Sequence, residues 1–186
     1  MLITLSGVSG SGKTTITKLL VDQYSFSILP SYTTRERRAS ESPHSNYEHI
    51  DARRFLEMET SGEWALTSQY AGNSYGTRRA DLVQAMSSAH PVVADLSLQS
   101  VQQMMTEHGI NAKSYFLYVD KAVALQRMQD RGDVPAVISR RAELYEQQTL
   151  GALAFLASGA SLQVIDAVAA PSRNAERIAR GNSALD

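Results

Sequence analysis

The chain has no cysteine, so disulfides, thiolate metal sites and cysteine nucleophiles are all excluded. That absence is neutral about compartment. Lysine is scarce, with 4 residues against 14 arginines. Arginine's rigid fork suits bidentate contact with phosphate, so the bias points mildly toward phosphate-facing positions, although genome composition accounts for it equally well. Net charge is also lacking. The 18 basic and 19 acidic residues leave a formal −1, and no global field draws the chain to nucleic acid or a membrane surface. No apolar run approaches the roughly 20 residues needed to cross a bilayer. The N-terminus runs directly into an apolar segment with no signal peptide before it, and a soluble cytoplasmic protein is the expectation. At 186 residues the chain fits one domain, or a core domain with inserted lobes, and can bury a substantial core.

What is present is concentrated at the N-terminus. Residues 7–14 read Gly7-Val-Ser-Gly-Ser-Gly-Lys-Thr14, a complete G-x-x-x-x-G-K-S/T phosphate-binding loop. It lies between an apolar strand candidate, Leu2 to Leu5, and a helical pattern from Thr14 to Tyr24. Small residues let successive backbone N–H groups close around phosphate oxygens, and the following helix opens with unpaired N–H groups facing the anion. Gly7, Val8, Ser9, Gly10, Ser11, Gly12, Lys13, Thr14 and Thr15 form the expected donor-binding stretch. Lys13 reaches the β- and γ-phosphates, and the Thr14 hydroxyl is placed for Mg²⁺. The expected donor is ATP.

Strand candidates follow at Phe26 to Leu29, Pro91 to Asp95, Tyr115 to Val119 and Leu162 to Ile165. They alternate with helical patterns over Arg79 to Ser88, Ser97 to His108, a segment capped by Asp120, a long helix from Pro135 to Ala157, and a terminal helix capped by Ser172. Such alternation predicts βαβ units and a mostly parallel sheet, with ligands beyond the carboxyl ends of the strands. Residues 31–77 break the rhythm. Within them, Ser31 to Asn46 reads as an exposed loop, Asp51 caps a short helix, and Trp64 to Tyr75 suits strands joined by a turn at Ala71-Gly72-Asn73. Asp95 is placed to end a core strand at the cleft. His44, His49, His90 and His108 show no metal-ligand spacing and read as surface or structural residues.

The segment Ser31-Tyr-Thr-Thr-Arg35-Glu-Arg-Arg38 is similar to the S-x-T-T-R-x-x-R acceptor loop of the guanylate kinase family. Its spacing continues without a gap through Tyr47, Phe55, Gly62 and Trp64 to Gly72-Asn-Ser-Tyr75-Gly-Thr77, and Arg127, Arg131-Gly132 and Ile138-x-x-Arg141 resemble the family's lid. The resemblance implies a three-layer α/β/α P-loop kinase core of residues 1–30, 78–126 and 142–186, an acceptor-binding lobe over 31–77 and a lid over 127–141. It implies that Arg35, Arg38, Tyr47 and Tyr75 hold the acceptor's phosphate, and that Ser31 and Thr77 face its base. Asp95 then serves near the Mg²⁺, through water, and near the acceptor. Arg131 and Arg141 close over the transferring phosphoryl group, with Arg127 and Arg131 on the ATP side. Lys13, Arg131, Arg141 and Asp95 are the implied catalytic set. The chemistry agrees: two phosphates approach in line only when cations offset their repulsion, and guanidinium groups and tyrosine hydroxyls supply charge and donors.

The resemblance fails where guanine is read. The family's guanine-reading glutamate falls on Leu66, and a second family carboxylate falls on Ser97. Leucine accepts no hydrogen bond, and a buried unpaired donor costs about 1–3 kcal/mol. Shifting the alignment to use Glu63 breaks the spacing on both sides. Two loop glycines are replaced by Ser40 and His44, and the lid is one residue short. The expected activity is ATP-dependent phosphotransfer to a nucleoside or deoxynucleoside 5′-monophosphate with altered or relaxed base choice. Three alternatives stand beside it: a sugar-phosphate kinase similar to ribose 1,5-bisphosphate phosphokinase, a true guanylate kinase with a compensated base site, and a non-catalytic interaction module of the same fold. Oligomeric state is not legible.

Overall fold

A computed structural model describes residues 1–37, 41 and 46–181. The central sheet is parallel and has the order β2-β7-β1-β8-β9, formed by β1 (Leu2–Gly7), β2 (Ser27–Ile28), β7 (Val92–Asp95), β8 (Lys113–Tyr118) and β9 (Leu162–Asp166). β1 lies in the middle and is buried from Leu2 to Ser6, and β7 is buried throughout. Continuous burial of this kind is what a sheet covered on both faces requires. Among the covering helices, α1 (Lys13–Tyr24) packs on α8 (Pro171–Ala179), and α4 (Leu98–His108) touches α7 (Tyr145–Ala157). Among the described residues, no helix is long and apolar enough to cross a membrane.

A second sheet has the order β4-β3-β6-β5, from β3 (Ser31–Thr33), β4 (Tyr47–His49), β5 (Trp64–Tyr70) and β6 (Asn73–Arg78). The sequence predicts a loop from Ser31 to Asn46, and here the structure corrects it. Ser31–Thr33 is a strand, antiparallel to β6 and parallel to β4. Three residues bearing hydroxyl groups carry no apolar alternation, and their burial comes from neighbours distant in sequence. One face of this sheet packs on α2 (Ala52–Thr60) through Trp64, Phe55 and Met58, with Tyr32 alongside. Trp64 stacks on Phe55 with centroids 4.7 Å apart. As expected, the Asp51 side chain caps α2, accepting from Arg54 N at 2.7 Å.

Gly76 is required by this packing, because a Cβ there would lie 2.8 Å from a ring carbon of Trp64. The indole is pinned by Phe55 and cannot retreat. Gly76→Ala is expected to destabilise the protein by about 1–3 kcal/mol, read as a lower urea midpoint at unchanged m-value. At the far end, Ala71 (φ 50°) and Gly72 (φ 79°) make a two-residue turn between β5 and β6. The free edge of β5 is covered by α4: Thr67 N donates to Gln103 Oε1 at 3.2 Å, and His108 Nε2 donates to the Ala65 carbonyl at 2.8 Å.

Three further expectations are corrected. The predicted long helix from Pro135 to Ala157 is two, α6 (Pro135–Glu143) and α7, broken at Leu144. The break falls between two anchored side chains: Arg141 pairs with Asp133 at 3.0 Å, while the Tyr145 hydroxyl donates to the Val119 carbonyl at 2.7 Å. Asp120 precedes α5 (Lys121–Asp130) without capping it, accepting instead from the Tyr118 hydroxyl at 3.2 Å. Ser172 is inside α8, whose first turn opens on Pro171.

Candidate active site

The loop from β1 to α1 opens onto a cleft of about 670 Å³, which reaches from Gly7–Thr15 across to the inner face of the second sheet. Gly10 (φ 81°) and Gly12 (φ 90°) adopt left-handed backbone that residues with a Cβ rarely tolerate. Gly12 precedes α1 with no side-chain cap, leaving the first helical N–H groups directed at the loop's concavity. Lys13 Nζ donates to the Gly7 carbonyl at 2.9 Å, which folds the side chain back over the loop. Thr14 and Thr15 line the cleft. Val8 is fully buried beneath the loop, and its carbonyl accepts from Ser11 N at 3.2 Å. Arg127 is not among the cleft-lining residues. It braces the loop by donating to the Gly10 carbonyl at 3.4 Å and the Ala167 carbonyl at 3.0 Å.

The inner face of the second sheet gathers most of the sequence-predicted acceptor residues. Leu66 opposes Thr77, Ser68 opposes Tyr75, and Tyr75 opposes Thr33. Extending that register sets Ser31 beside Thr77, so Tyr47, Ser31, Thr77 and Leu66 form one transverse row across four strands. Ser31, Thr77 and Leu66 are all buried and line the cleft. Glu63 is elsewhere: it is half exposed, accepts from Ser61 Oγ at 2.9 Å and faces Arg54. The transverse row therefore ends on Leu66, and Glu63 is not among the cleft-lining residues.

Asp95 ends β7 and is nearly buried at the cleft. Its Oδ2 accepts from the Tyr47 hydroxyl at 2.9 Å. Burial, and next the Asp95 charge, push the Tyr47 phenol well above its ordinary range, so the group is a neutral donor. Capping of α4 falls instead to Ser97, which accepts from Ser100 N and donates to Ser100 Oγ, both at 3.0 Å. Ser97 lines the cleft, but its hydroxyl is engaged in these bonds. Arg35 is buried, donating to the Glu36 carbonyl at 2.7 Å and to Glu41 Oε2 at 2.8 Å, with its guanidinium 5.5 Å from the Tyr47 ring centre. His49 Nδ1 donates to the Arg35 carbonyl at 2.6 Å, and Nε2 sits 3.1 Å from Glu41 Oε1. Arg38, Ser40 and His44 lie outside the described residues.

Arg131 and Arg141 meet at one carboxylate. Arg131 Nε donates to Asp133 Oδ1 at 3.0 Å and its fork also contacts Oδ2, which accepts from Arg141 at 3.0 Å. Both arginines line the cleft. The Arg141 Nε is buried and has no partner among the described residues.

Sequence reasoning missed several groups. Tyr70 lines the cleft and its hydroxyl is 2.8 Å from Ser9 Oγ; period-two spacing from Leu66 through Ser68 carries the signal. Gln148 from α7 accepts from Ser9 N at 3.4 Å, and Asp133 gathers Arg131 and Arg141. Asn46 lines the cleft beside Tyr47.

A glycine-rich strand-to-helix loop at the carboxyl edge of a parallel sheet, facing a smaller inserted sheet across one cleft, defines a P-loop kinase architecture. A crystal structure of guanylate kinase from Anaplasma phagocytophilum matches it with a TM-score of 0.71 over 97% of this chain and 82% of that one, at 20% identity. The guanylate kinase family profile matches residues 1–152. A guanylate kinase of Nitrosomonas europaea is 32% identical over 142 residues, covering 75% of this chain and 71% of that protein. One of Oleidesulfovibrio alaskensis is 30% identical over 142 residues, covering 76% and 69%. The chain belongs to the guanylate kinase family.

Proposed function

We propose that the protein transfers the γ-phosphoryl group of ATP to a nucleoside or deoxynucleoside 5′-monophosphate, giving the diphosphate, with a base choice moved away from guanine. The observation that carries this reading is Leu66, seated in the transverse row where the family's glutamate belongs, with Ser97 occupied in capping α4. Leu66 supplies no acceptor for guanine's ring N–H and amino group, and Ser97 brings no carboxylate charge to them. A site built without that acceptor disfavours the base steeply.

The donor set fits Mg·ATP. Thr14 is at the cleft, the loop's N–H groups are uncapped, and Asp95 stands where it can hold a metal-bound water. Mg²⁺ held by Thr14 and a water on Asp95 would offset the negative charge of the transferring phosphate. Lys13 leaves the Gly7 carbonyl for phosphate oxygens. Tyr47, Tyr75, Arg35 and Arg38 receive the acceptor's phosphate, Tyr47 as a neutral donor. Arg131 and Arg141 exchange Asp133 for the transferring group and exclude water from it. No side-chain base is required, because the attacking phosphate oxygen is already anionic. Leu66 gives equal room to a ribose phosphate without a base, which keeps a sugar-phosphate acceptor as the second reading.

The test is a coupled ADP-release assay with Mg·ATP against ribo- and deoxynucleoside monophosphates and ribose 1,5-bisphosphate. A nucleotide other than GMP or dGMP is expected to give the highest kcat/KM. GMP or dGMP as the clearly best acceptor overturns the altered base choice. The sugar phosphate exceeding every nucleotide selects the second reading.

A further inference from the structure

His49 is the last residue of β4, its side chain is mostly buried, and it is not among the cleft-lining residues. Both of its ring nitrogens are nevertheless engaged. Nδ1 donates to the Arg35 carbonyl at 2.6 Å, and Nε2 faces Glu41 Oε1 at 3.1 Å. A proton must lie between Nε2 and that oxygen, since a bare lone pair there would face a carboxylate. The second carboxylate oxygen, Oε2, accepts from Arg35 Nη2 at 2.8 Å. These contacts close a loop that starts at the Arg35 guanidinium, passes through Glu41 and the imidazole, and returns to the Arg35 backbone.

The loop decides what Arg35 can still bind. A carboxylate beside a guanidinium ordinarily takes two parallel N–H bonds, the same grip that a phosphate uses. Asp81 takes that grip on Arg78, with one oxygen on Nε and the other on Nη2, both at 2.8 Å. Glu41 meets the fork of Arg35 through Oε2, while Oε1 is turned to the imidazole. The Glu36 carbonyl accepts from Nη1 at 2.7 Å, and Thr33 Oγ1 accepts from Arg35 N at 3.1 Å. Arg35 is thus fixed at both ends, and a guanidinium with five N–H donors keeps some for the cleft that it lines.

We infer that His49 is a positioning residue for the acceptor's phosphate: by holding Oε1 of Glu41, it keeps the carboxylate from closing bidentately on Arg35. It acts through Glu41 and touches no substrate. This rests on the role given to Arg35 in the reading above, and it applies to a nucleotide or a sugar-phosphate acceptor alike.

The experiment measures kcat and KM of full-length His49→Phe with Mg·ATP and, in turn, GMP, AMP, UMP, CMP and ribose 1,5-bisphosphate. Phenylalanine keeps a flat ring and removes both nitrogens. KM for each acceptor that the wild type uses is expected to rise by one common factor of about tenfold, the size of one charge-assisted hydrogen bond. KM for ATP is expected to stay unchanged. Adding Glu41→Gln puts an amide where the carboxylate could close, and is expected to return acceptor KM to within about threefold of wild type. A merely structural role predicts further damage from the second substitution, so recovery separates the two. His49→Gln keeps polarity and a donor at the position, and gives an intermediate rise even if phenylalanine prevents folding. A rise in KM for ATP equal to that for the acceptor, a factor that differs among acceptors, or a double variant no better than His49→Phe overturns this inference and leaves the kinase reading standing. No transfer from the wild type to any acceptor overturns both.

Discussion

Lys13→Ala is expected to abolish phosphoryl transfer, with kcat lower by about 10³-fold or more, while the protein stays folded. The argument begins with the position of Nζ. In the structure it rests on the Gly7 carbonyl at 2.9 Å, the last residue of β1, poised over the loop's concavity. Among the described residues no other lysine lines the cleft, and Arg131 and Arg141, which do, are engaged by Asp133. Phosphoryl transfer depends almost wholly on positioned positive charge, and single cationic groups of this kind are worth 10³–10⁵ in rate. The hydrogen bond to the Gly7 carbonyl contributes about 1 kcal/mol to the folded state. Single-turnover kinetics with excess Mg·ATP, beside a thermal melt, check both halves. Transfer within tenfold of wild type would reject the role.

Asp133→Ala carries the largest expected effect on stability, a loss of about 3–5 kcal/mol. Asp133 and Arg141 are almost entirely buried, and their ion pair at 3.0 Å is shared with Arg131. Removing the shared carboxylate strands a buried guanidinium whose Nε has no partner among the described residues. An uncompensated buried charge costs far more than the intact pair contributes. The diagnostic is the double variant Asp133→Ala/Arg141→Met, which removes the stranded charge and is expected to recover most of the loss. Urea denaturation of the wild type, both single variants and the double variant gives the coupling directly. Equal losses in the single and double variants would contradict the assignment.

The fold was legible because its strands and helices announce themselves. Val92 to Ala94 and Tyr115 to Leu117 are short apolar runs between helical patterns, and the G-x-x-x-x-G-K-T string fixes one strand-to-helix junction. β3 was not legible, since Ser31, Tyr32 and Thr33 become a strand only through β4 and β6. The break at Leu144 was hidden for the same reason: helical spacing continues through it, and the interruption comes from Asp133 and Val119, both remote from Leu144 in the helix pattern. At the cleft, the spacing of the family resemblance singles out Arg35, Arg131, Arg141, Tyr47, Tyr75 and Leu66, whereas Arg127 braces the loop without lining it. Asn46 is not found that way, because an asparagine in a polar loop carries no signal until its burial at the cleft is seen.

β5 joins two ends of the cleft that are far apart in sequence. Leu66, Ser68 and Tyr70 share one face of it, and four residues of strand span about 13 Å. Leu66 lines the cleft opposite Thr77, Tyr70 is bonded to Ser9 of the glycine-rich loop, and Gln103 and His108 of α4 fasten the outer edge between and beside them. The strand is therefore a tie rod clamped at its side. Substitution of Leu66 by a larger residue is therefore expected to reach Ser9 through β5 and to alter KM for ATP as well as for the acceptor, checked by steady-state kinetics.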